Sequence, residues 1–133
     1  MPIDVAFDTN VLVYMVSGDG ARSEPAAALV RAGGVVSVQV LNEYTSVMRR
    51  KMSADWTQID VNLAAVRATC SIVPVTADVH DRGRWYAERY KLGVHDAMIV
   101  AAAALASCKT LYSEDMHDGL AIDGLTVRNP FRA

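Results

Sequence analysis

The sequence predicts an α/β fold in which helices cover both faces of a central, mostly parallel sheet of four or five strands. Short apolar runs rich in β-branched residues alternate along the chain with segments of helical periodicity. Strands that alternate with helices pair in parallel through right-handed crossovers, which gives a three-layer α/β/α sandwich. The 133 residues contain no repeat, low-complexity segment or linker, so a single domain is expected over residues 1–133.

The first half of the chain is expected to supply two strands and four helices. An apolar run predicts the first strand, and a glycine pair precedes the valine-rich run that predicts the second. SGDG separates the first two helices as a turn, and Ser53 or Asp55 is expected to cap the fourth helix. The predicted bounds are 3–7 and 33–38 for the strands and 10–17, 22–32, 39–51 and 55–69 for the helices.

The second half is expected to supply two more strands, two helices and an edge strand. SIVPV at 71–75 and TLYS at 110–113 predict strands three and four, and LTV at 125–127 predicts an edge strand. A helix over 77–93 should stop at its terminal glycine. The helix over 96–108 is apolar on nearly every side, so it should be largely buried, with its alanines allowing close approach to the sheet.

The composition predicts a soluble, cytoplasmic protein and excludes several classes. A net charge of -2 excludes a surface coated with basic charge, so any nucleic-acid contact must use local patches. Cys70 and Cys108 lie far apart without a CxxC spacing, which argues against a zinc ribbon or a disulfide framework and favours a reducing compartment. The first apolar stretch lacks the features of a signal peptide, and AMIVAAAALA is too short to span a bilayer.

Carboxylates follow two of the predicted strands. Asp8 comes directly after the first strand in FDTN, and Asp115 lies in SEDMHDG after the fourth. Open α/β folds place their ligands at the carboxyl edge of the sheet, where the strand order reverses. If the first and fourth strands are neighbours, these two carboxylates meet in one crevice. Alternatively, Asp8 caps the helix that begins near Asn10, and SEDMHDG is an ordinary polar loop.

Two further acids lie on helices without a neighbouring cation. Glu43 stands at the border of the apolar face of the third helix, with Ser46 and Val47 at its i+3 and i+4 positions. Asp96 stands at the start of the alanine-rich helix, and both corresponding positions are apolar. The alternatives are a boundary glutamate that reaches for water and an N-cap or first-turn aspartate favoured by the helix dipole.

These four acids predict a metal site if they share one crevice. Crowded carboxylates raise one another's pKa values unless a cation joins them. A ligand set made only of oxygens suits Mg²⁺ or Mn²⁺ rather than zinc. A hard divalent ion held in this way can activate water and stabilise the charge that develops on a phosphodiester.

Several stretches, in the expected order through the whole chain, resemble PIN-domain ribonucleases and most of all the VapC-type toxins of toxin–antitoxin pairs. They are FDTNVLVY, NEY, HDAMIVAAAA, LYSEDMHDG and LTVRNPF. The resemblance implies a PIN fold and a Mg²⁺- or Mn²⁺-dependent endoribonuclease activity. It places the acidic positions on Asp8, Glu43, Asp96 and Asp115, and the polar positions that support them on Thr9, Asn10 and Ser113.

The same resemblance implies partners. The expected substrate is RNA, and the expected protein partner is a small cognate antitoxin that blocks the acidic crevice with a basic side chain. The apolar fraction of 52% is high for a small domain, which favours a homodimer. His95 stands where such proteins often carry another polar or aromatic residue, so its role stays open between a general base and a surface or capping histidine.

Other chemistries fit the sequence less well. The histidines lack an HExxH spacing, and neither a GxSxG elbow nor a P-loop is present. A phosphoacceptor receiver-type domain needs an aspartate at the end of strand three, where Val75 and Thr76 stand, and a lysine later than Lys109. A catalytically inactive PIN-like binding module is the other alternative, although all four acidic positions are filled. The basic stretches at 49–51 and 82–91 are either solvated helix faces or, where aromatics interleave, contacts for single-stranded RNA.

Overall fold

The computed structural model describes residues 4–132. The strands are β1 (Val5–Phe7), β2 (Gly34–Ser37), β3 (Cys70–Val73), β4 (Thr110–Tyr112), β5 (Ala121–Ile122) and β6 (Leu125–Arg128). The helices are α1 (Thr9–Ser17), α2 (Gly20–Ala32), α3 (Val38–Arg50), α4 (Trp56–Thr69), α5 (Ala77–Tyr90) and α6 (Val94–Leu105). The predicted three-layer α/β/α sandwich with a mostly parallel sheet is confirmed.

The sheet has the strand order β3-β2-β1-β4-β6-β5. The strands β2 and β3 therefore lie on one side of β1, and β4, β6 and β5 lie on the other side. β1 pairs with β2 on one side and with β4 on the other, in parallel in both cases. The strand order reverses between β1 and β4, so these two strands are neighbours, which is the condition for Asp8 and Asp115 to meet in one crevice. Among the strands of residues 4–132, only β5 is antiparallel to its partner.

Several predicted bounds need correction. The sheet that the described residues form has six strands rather than four or five, because the two-residue β5 pairs with β6. LTV is consequently not an edge strand, since β6 lies between β4 and β5. Helix α6 begins at Val94, two residues before the predicted start, with Gly93 as its N-cap. Residue 3 of the predicted first strand lies outside the described residues.

Helix caps follow the sequence closely. Asp55 is the cap of α4, its side chain accepting a hydrogen bond from the backbone N–H of Gln58 at 2.8 Å. Ser53, the alternative cap, has a left-handed backbone with φ 52° in the turn before it. Asp19 caps α2 after Gly18, which has φ 78° at the end of α1, so SGDG is the expected turn. These caps satisfy backbone N–H groups that would otherwise lack partners.

The core lies between the sheet and the buried faces of the helices. On α3 the buried side chains are Val40, Tyr44 and Met48, which recur at helical spacing. On α6 every residue from Ala97 to Ala103 is buried, as the alanine-rich sequence predicts. Within residues 4–132, no helix combines the length and apolarity that a membrane crossing requires.

Helices α5 and α6 pack closely through a glycine. A Cβ placed on Gly83 would lie 2.6 Å from the Met98 Sδ atom and 3.4 Å from the Ala97 carbonyl oxygen. The glycine leaves room for the end of the flexible Met98 side chain, and the Ala97 carbonyl oxygen would lie at an ordinary contact distance from such a Cβ. This packing fixes α6, and therefore the first-turn residues of α6, against the rest of the fold.

Candidate functional site

The crevice at the reversal point of the sheet is formed by the ends of β1 and β4. Phe7 and Tyr112 are in register, and the Asp8 backbone N–H donates to the Tyr112 carbonyl at 2.9 Å. The residues that leave these strands, Asp8 and Ser113, therefore stand side by side. Ser113 is fully buried, and its Oγ donates to Asp8 Oδ2 at 2.6 Å.

Asp8 is both a helix cap and a buried carboxylate. It is the N-cap of α1, and its Oδ1 accepts from the Thr9 backbone N–H at 2.7 Å. The residue is only 5% exposed. The capping interpretation is thus correct, and it does not exclude a second role, because each carboxylate oxygen can accept more than one bond. The two hydrogen bonds hold the carboxylate in one orientation.

The electrostatics of Asp8 indicate that other acids lie close to it. Burial raises its pKa from 3.8 to about 6, although the hydrogen bonds from Ser113 and Thr9 oppose this shift. The negative charges of Asp96 and Glu43 raise the pKa of Asp8 further. The acid that follows β1 and the acids of α3 and α6 therefore lie close enough to change one another's pKa values.

Asp115 is held at this crevice from the other side. Its Oδ2 accepts a hydrogen bond from the Asn10 side-chain amide at 2.5 Å, which joins the β4 loop to the first turn of α1. The neighbouring Thr9 is 7% exposed, and its hydroxyl is buried without a hydrogen-bond partner among residues 4–132. A buried hydroxyl without a hydrogen-bond partner destabilises the fold unless water or a ligand forms a hydrogen bond with it.

Glu43 reaches the crevice from α3, where it is half-buried as its position on the helix predicts. The Gln39 side-chain amide nitrogen lies 3.2 Å from Glu43 Oε2 and 3.1 Å from His95 Nδ1. Gln39 thus connects the acid of α3 to the first turn of α6. The sequence reasoning missed Gln39, although its i−4 spacing from Glu43 on one helix face was a usable signal.

Asp96 lies in the first turn of α6, where the helix dipole favours a negative charge. Burial raises the pKa of its carboxyl, and the charge of Asp115 raises it further, whereas the adjacent His95 lowers it. Asp96 therefore faces both Asp8 and Asp115. Together these interactions bring the four predicted acids, Asp8, Glu43, Asp96 and Asp115, to one edge of the sheet.

Glu114, which stands next to Asp115, has a different environment. Its carboxylate accepts from the Tyr14 hydroxyl at 2.5 Å and pairs with the Arg22 Nε at 2.6 Å. The hydrogen bond from Tyr14 and the charge of Arg22 lower the pKa of Glu114. These contacts join the loop after β4 to α1 and α2. Glu114 therefore holds this loop in place and is not one of the four acids of the crevice.

The acids of the crevice supply oxygen donors, which are the ligands that Mg²⁺ and Mn²⁺ prefer. Within residues 4–132, no three His, Cys, Asp or Glu side chains are close enough to surround an ion directly. Mg²⁺ keeps several waters and takes only one or two carboxylates as ligands. Mutually repelling acids around buried Asp8, and the unpartnered Thr9 hydroxyl, are the features that a hydrated cation would satisfy.

The comparisons with known proteins assign the chain to a family. The model of the PIN domain matches residues 5–118, and the chain belongs to the PIN domain family. No curated protein sequence matches it significantly. The matched region includes all four acids of the crevice.

Solved structures of toxin–antitoxin proteins are similar over nearly the whole chain. A toxin–antitoxin complex from Klebsiella pneumoniae has 25% identity and a TM-score of 0.72, covering 95% of this chain and 97% of that one. VapC20 of Mycobacterium tuberculosis, a toxin that cleaves the sarcin-ricin loop, has 22% identity and a TM-score of 0.68, covering 84% and 89%. VapBC2 of Rickettsia felis, bound to a promoter DNA fragment, has 20% identity and a TM-score of 0.66, covering 94% and 97%.

Proposed function

We propose that this PIN-domain protein is a metal-dependent endoribonuclease that hydrolyses RNA phosphodiester bonds as the toxin of a toxin–antitoxin pair. One observation carries the proposal: the buried Asp8 carboxylate lies at the reversal point of the sheet, with its pKa raised to about 6 by burial and by two further acids. Burying an ionisable carboxyl without a cation destabilises the fold, and acids with strongly shifted pKa values cluster at functional sites. The family match and the similarity to toxin–antitoxin structures support the choice of reaction.

In this proposal the four acids hold the metal ion, in part through its waters. Asp8, Asp96, Glu43 and Asp115 are the acids, and Mg²⁺ or Mn²⁺ is the ion. When bound, the ion lowers the pKa of a water and neutralises charge on the phosphodiester. Ser113 and Thr9 hold Asp8 in place through their hydrogen bonds, and Asn10 does the same for Asp115.

The proposed partners follow from the same crevice. A cluster of carboxylates on an open edge attracts a basic side chain, so a cognate antitoxin would inhibit the enzyme by placing an arginine or lysine among them. The toxin–antitoxin complexes among the similar structures support this partner. A homodimer is proposed because the apolar fraction of 52% is high for a small domain and the apolar side chains of Val61 and Leu105 are 64% and 44% exposed.

The test is incubation of the purified protein with total RNA in Mn²⁺, in Mg²⁺ and in EDTA, followed by mapping of the cut ends. We expect cleavage in either metal and none in EDTA. Asp8→Asn should abolish cleavage, whereas Asp60→Asn, which changes an exposed aspartate of α4, should leave it intact. Cleavage by the Asp8→Asn variant, or cleavage in EDTA, would contradict the proposal.

One observation favours a second function. Because three acids do not enclose an ion directly within the described residues, a binding module without catalysis would also be compatible with the crevice. That module would bind RNA or an antitoxin and leave total RNA intact in both metals. The same digest therefore separates the two functions.

A further inference from the structure

The turn between α3 and α4 carries a basic and aromatic surface that lies outside the acidic crevice. We call it the basic turn and define it by Arg49, Arg50, Lys51 and Trp56. The three cations are consecutive, and none of them forms an ion pair within the part of the chain that the structure describes. By contrast, four arginines elsewhere in that part are paired with carboxylates, Arg22, Arg31, Arg82 and Arg132.

Trp56 gives this surface a flat aromatic face. Its side chain is 58% exposed, although burial of an indole is normally favourable. The Arg49 guanidinium lies 4.7 Å from the centre of its ring, and the Arg49 Nη1 donates to the Ala54 carbonyl at 3.0 Å. Arg49 therefore packs against the indole, and more than half of Trp56 is still exposed to solvent. An open indole beside cations is the combination that stacks nucleic-acid bases and binds their phosphates.

A polar stripe on α3 connects the basic turn to the crevice. Gln39, Glu43, Ser46 and Arg50 recur at intervals of three and four residues, so they share one face of the helix. Gln39 contacts Glu43, and the Arg50 Nε donates to Ser46 Oγ at 3.0 Å. Arg50 lies two turns beyond Glu43, about 10 Å along the helix axis. That separation is within the span of the several nucleotides that one protein surface binds.

The other exposed tryptophan lies in a different electrostatic setting. Trp85 on α5 is 48% exposed, and the Arg89 guanidinium lies 5.3 Å from its ring. However, Asp81 and Glu88 line the same cleft of about 290 Å³ as Trp85 and Arg84, so acids outnumber cations in the lining of that cleft. At the basic turn Asp55 caps α4 and Asp60 lies one helical turn after Trp56, so three cations outnumber two aspartates.

We infer that the basic turn binds single-stranded RNA that extends from the acidic crevice, with Trp56 stacking on a base and Arg50 and Lys51 contacting phosphates. This inference rests on the proposed function, because RNA is the ligand that both surfaces would share. A net charge of -2 gives the protein no overall attraction for RNA, so a local cluster of cations without ion-pair partners is what would guide the strand. The polar stripe on α3 would lead the RNA strand from the basic turn toward Glu43.

Tryptophan fluorescence tests the stacking directly. The chain contains two tryptophans, so Trp85→Phe leaves Trp56 as the only indole and Trp56→Phe leaves Trp85. Both variants are titrated with unlabelled oligouridine RNA of about 12 nucleotides in EDTA, where no cleavage occurs. We expect quenching in Trp85→Phe and none in Trp56→Phe. The reverse pattern, or no quenching in either variant, would overturn the inference.

The salt dependence of binding tests the interactions with phosphates. Arg50→Ala/Lys51→Ala should reduce the slope of log affinity against log salt by about 0.7 for each phosphate that the variant no longer neutralises. The matched control is Arg84→Ala/Arg89→Ala, which removes the same charge beside Trp85 and should leave the slope unchanged. Trp56→Ala should weaken binding at least about fivefold without changing the slope. An unchanged slope in the Arg50/Lys51 variant would show that phosphates are bound elsewhere.

These measurements are independent of catalysis. If Trp56 is quenched but total RNA stays intact in Mn²⁺, the RNA surface is supported and the nuclease proposal fails. If total RNA is cleaved but Trp56 is not quenched, the nuclease proposal holds and the basic turn is not an RNA surface.

Discussion

The raised pKa of Asp8 makes the stability of the metal-free protein depend on pH in an unusual direction. Most carboxylates in folded proteins have lowered pKa values and stabilise the fold as the pH rises. Asp8 has a pKa of about 6 in the fold against a reference value of 3.8. The folded protein therefore binds the Asp8 proton more tightly than the unfolded chain, and its stability falls as the pH rises from 3.8 toward 6.

The size of this effect follows from the same shift. A difference of one pKa unit corresponds to 1.36 kcal/mol, so the ionised Asp8 side chain costs the metal-free fold about 3 kcal/mol above pH 6. Asp8→Asn removes the charge but keeps an oxygen that can accept the Thr9 N–H and cap α1. The Ser113 hydroxyl can in turn accept from the new amide. We expect the variant to be more stable than wild type by about 1–3 kcal/mol at pH 8 and nearly equal to it at pH 4.

Urea unfolding in EDTA at pH 4, 6 and 8 measures this difference, and the free energy of unfolding is compared at each pH. Thermal melts should show the same trend as a rise in Tm of several degrees at pH 8. Asp60→Asn is the control, because its side chain is exposed and its charge costs little. If Asp8→Asn is less stable than wild type at pH 8, or if the difference does not change with pH, the ionised carboxylate does not destabilise the fold.

Four further outcomes are expected. Asp96→Asn should leave the metal-free protein at least as stable as wild type but abolish cleavage, and Mn²⁺ should raise the Tm of wild type and not of this variant; an active variant with a normal metal shift would contradict this. His95→Ala should fold and retain metal-dependent cleavage, because its ring contacts Gln39 rather than an acid; a loss as complete as that of Asp8→Asn would show that the histidine acts in catalysis. Tyr14→Phe should lower the free energy of unfolding in urea by about 1 kcal/mol, since it removes the hydrogen bond to Glu114; Tyr90→Phe is the control. Gly83→Ala should change the free energy of unfolding by less than about 1 kcal/mol in the same assay, because its Cβ would displace the end of the flexible Met98 side chain while alanine has the better helix propensity; a loss of more than about 2 kcal/mol would show that Met98 cannot move aside.

The elements that the sequence predicted are those with a strong local signal. The valines of β2, the buried alanines of α6 and the apolar arc of α3 all occur where hydrophobic periodicity placed them. β5 was missed because Ala121–Ile122 is too short to show any periodicity, and its pairing depends on the turn at Asp123 and Gly124. The early start of α6 was missed because Gly93 caps it without a side chain.

The sequence predicts where the acids lie in the fold, but it does not predict the hydrogen bonds that connect the residues around them. Asp8 and Asp115 could be placed together because parallel strands end at the same edge of a sheet. The links Gln39–His95 and Tyr14–Glu114 join residues that are 56 and 100 positions apart. Interactions of this kind depend on how the helices are oriented in three dimensions, which no local pattern in the sequence records.

The position of β4 also bears on when the crevice forms during synthesis. β4 lies inside the sheet, between β1 and β6, although it is the fourth strand to be made. A nascent chain that ends before Thr110 has Asp8, Glu43 and Asp96 but lacks both the strand that closes the crevice and Asp115. It also leaves one edge of β1 unpaired, which makes the fragment a target for proteolysis and aggregation. A chain released before this point would therefore have only part of the crevice, and under the proposed function it would not cleave RNA.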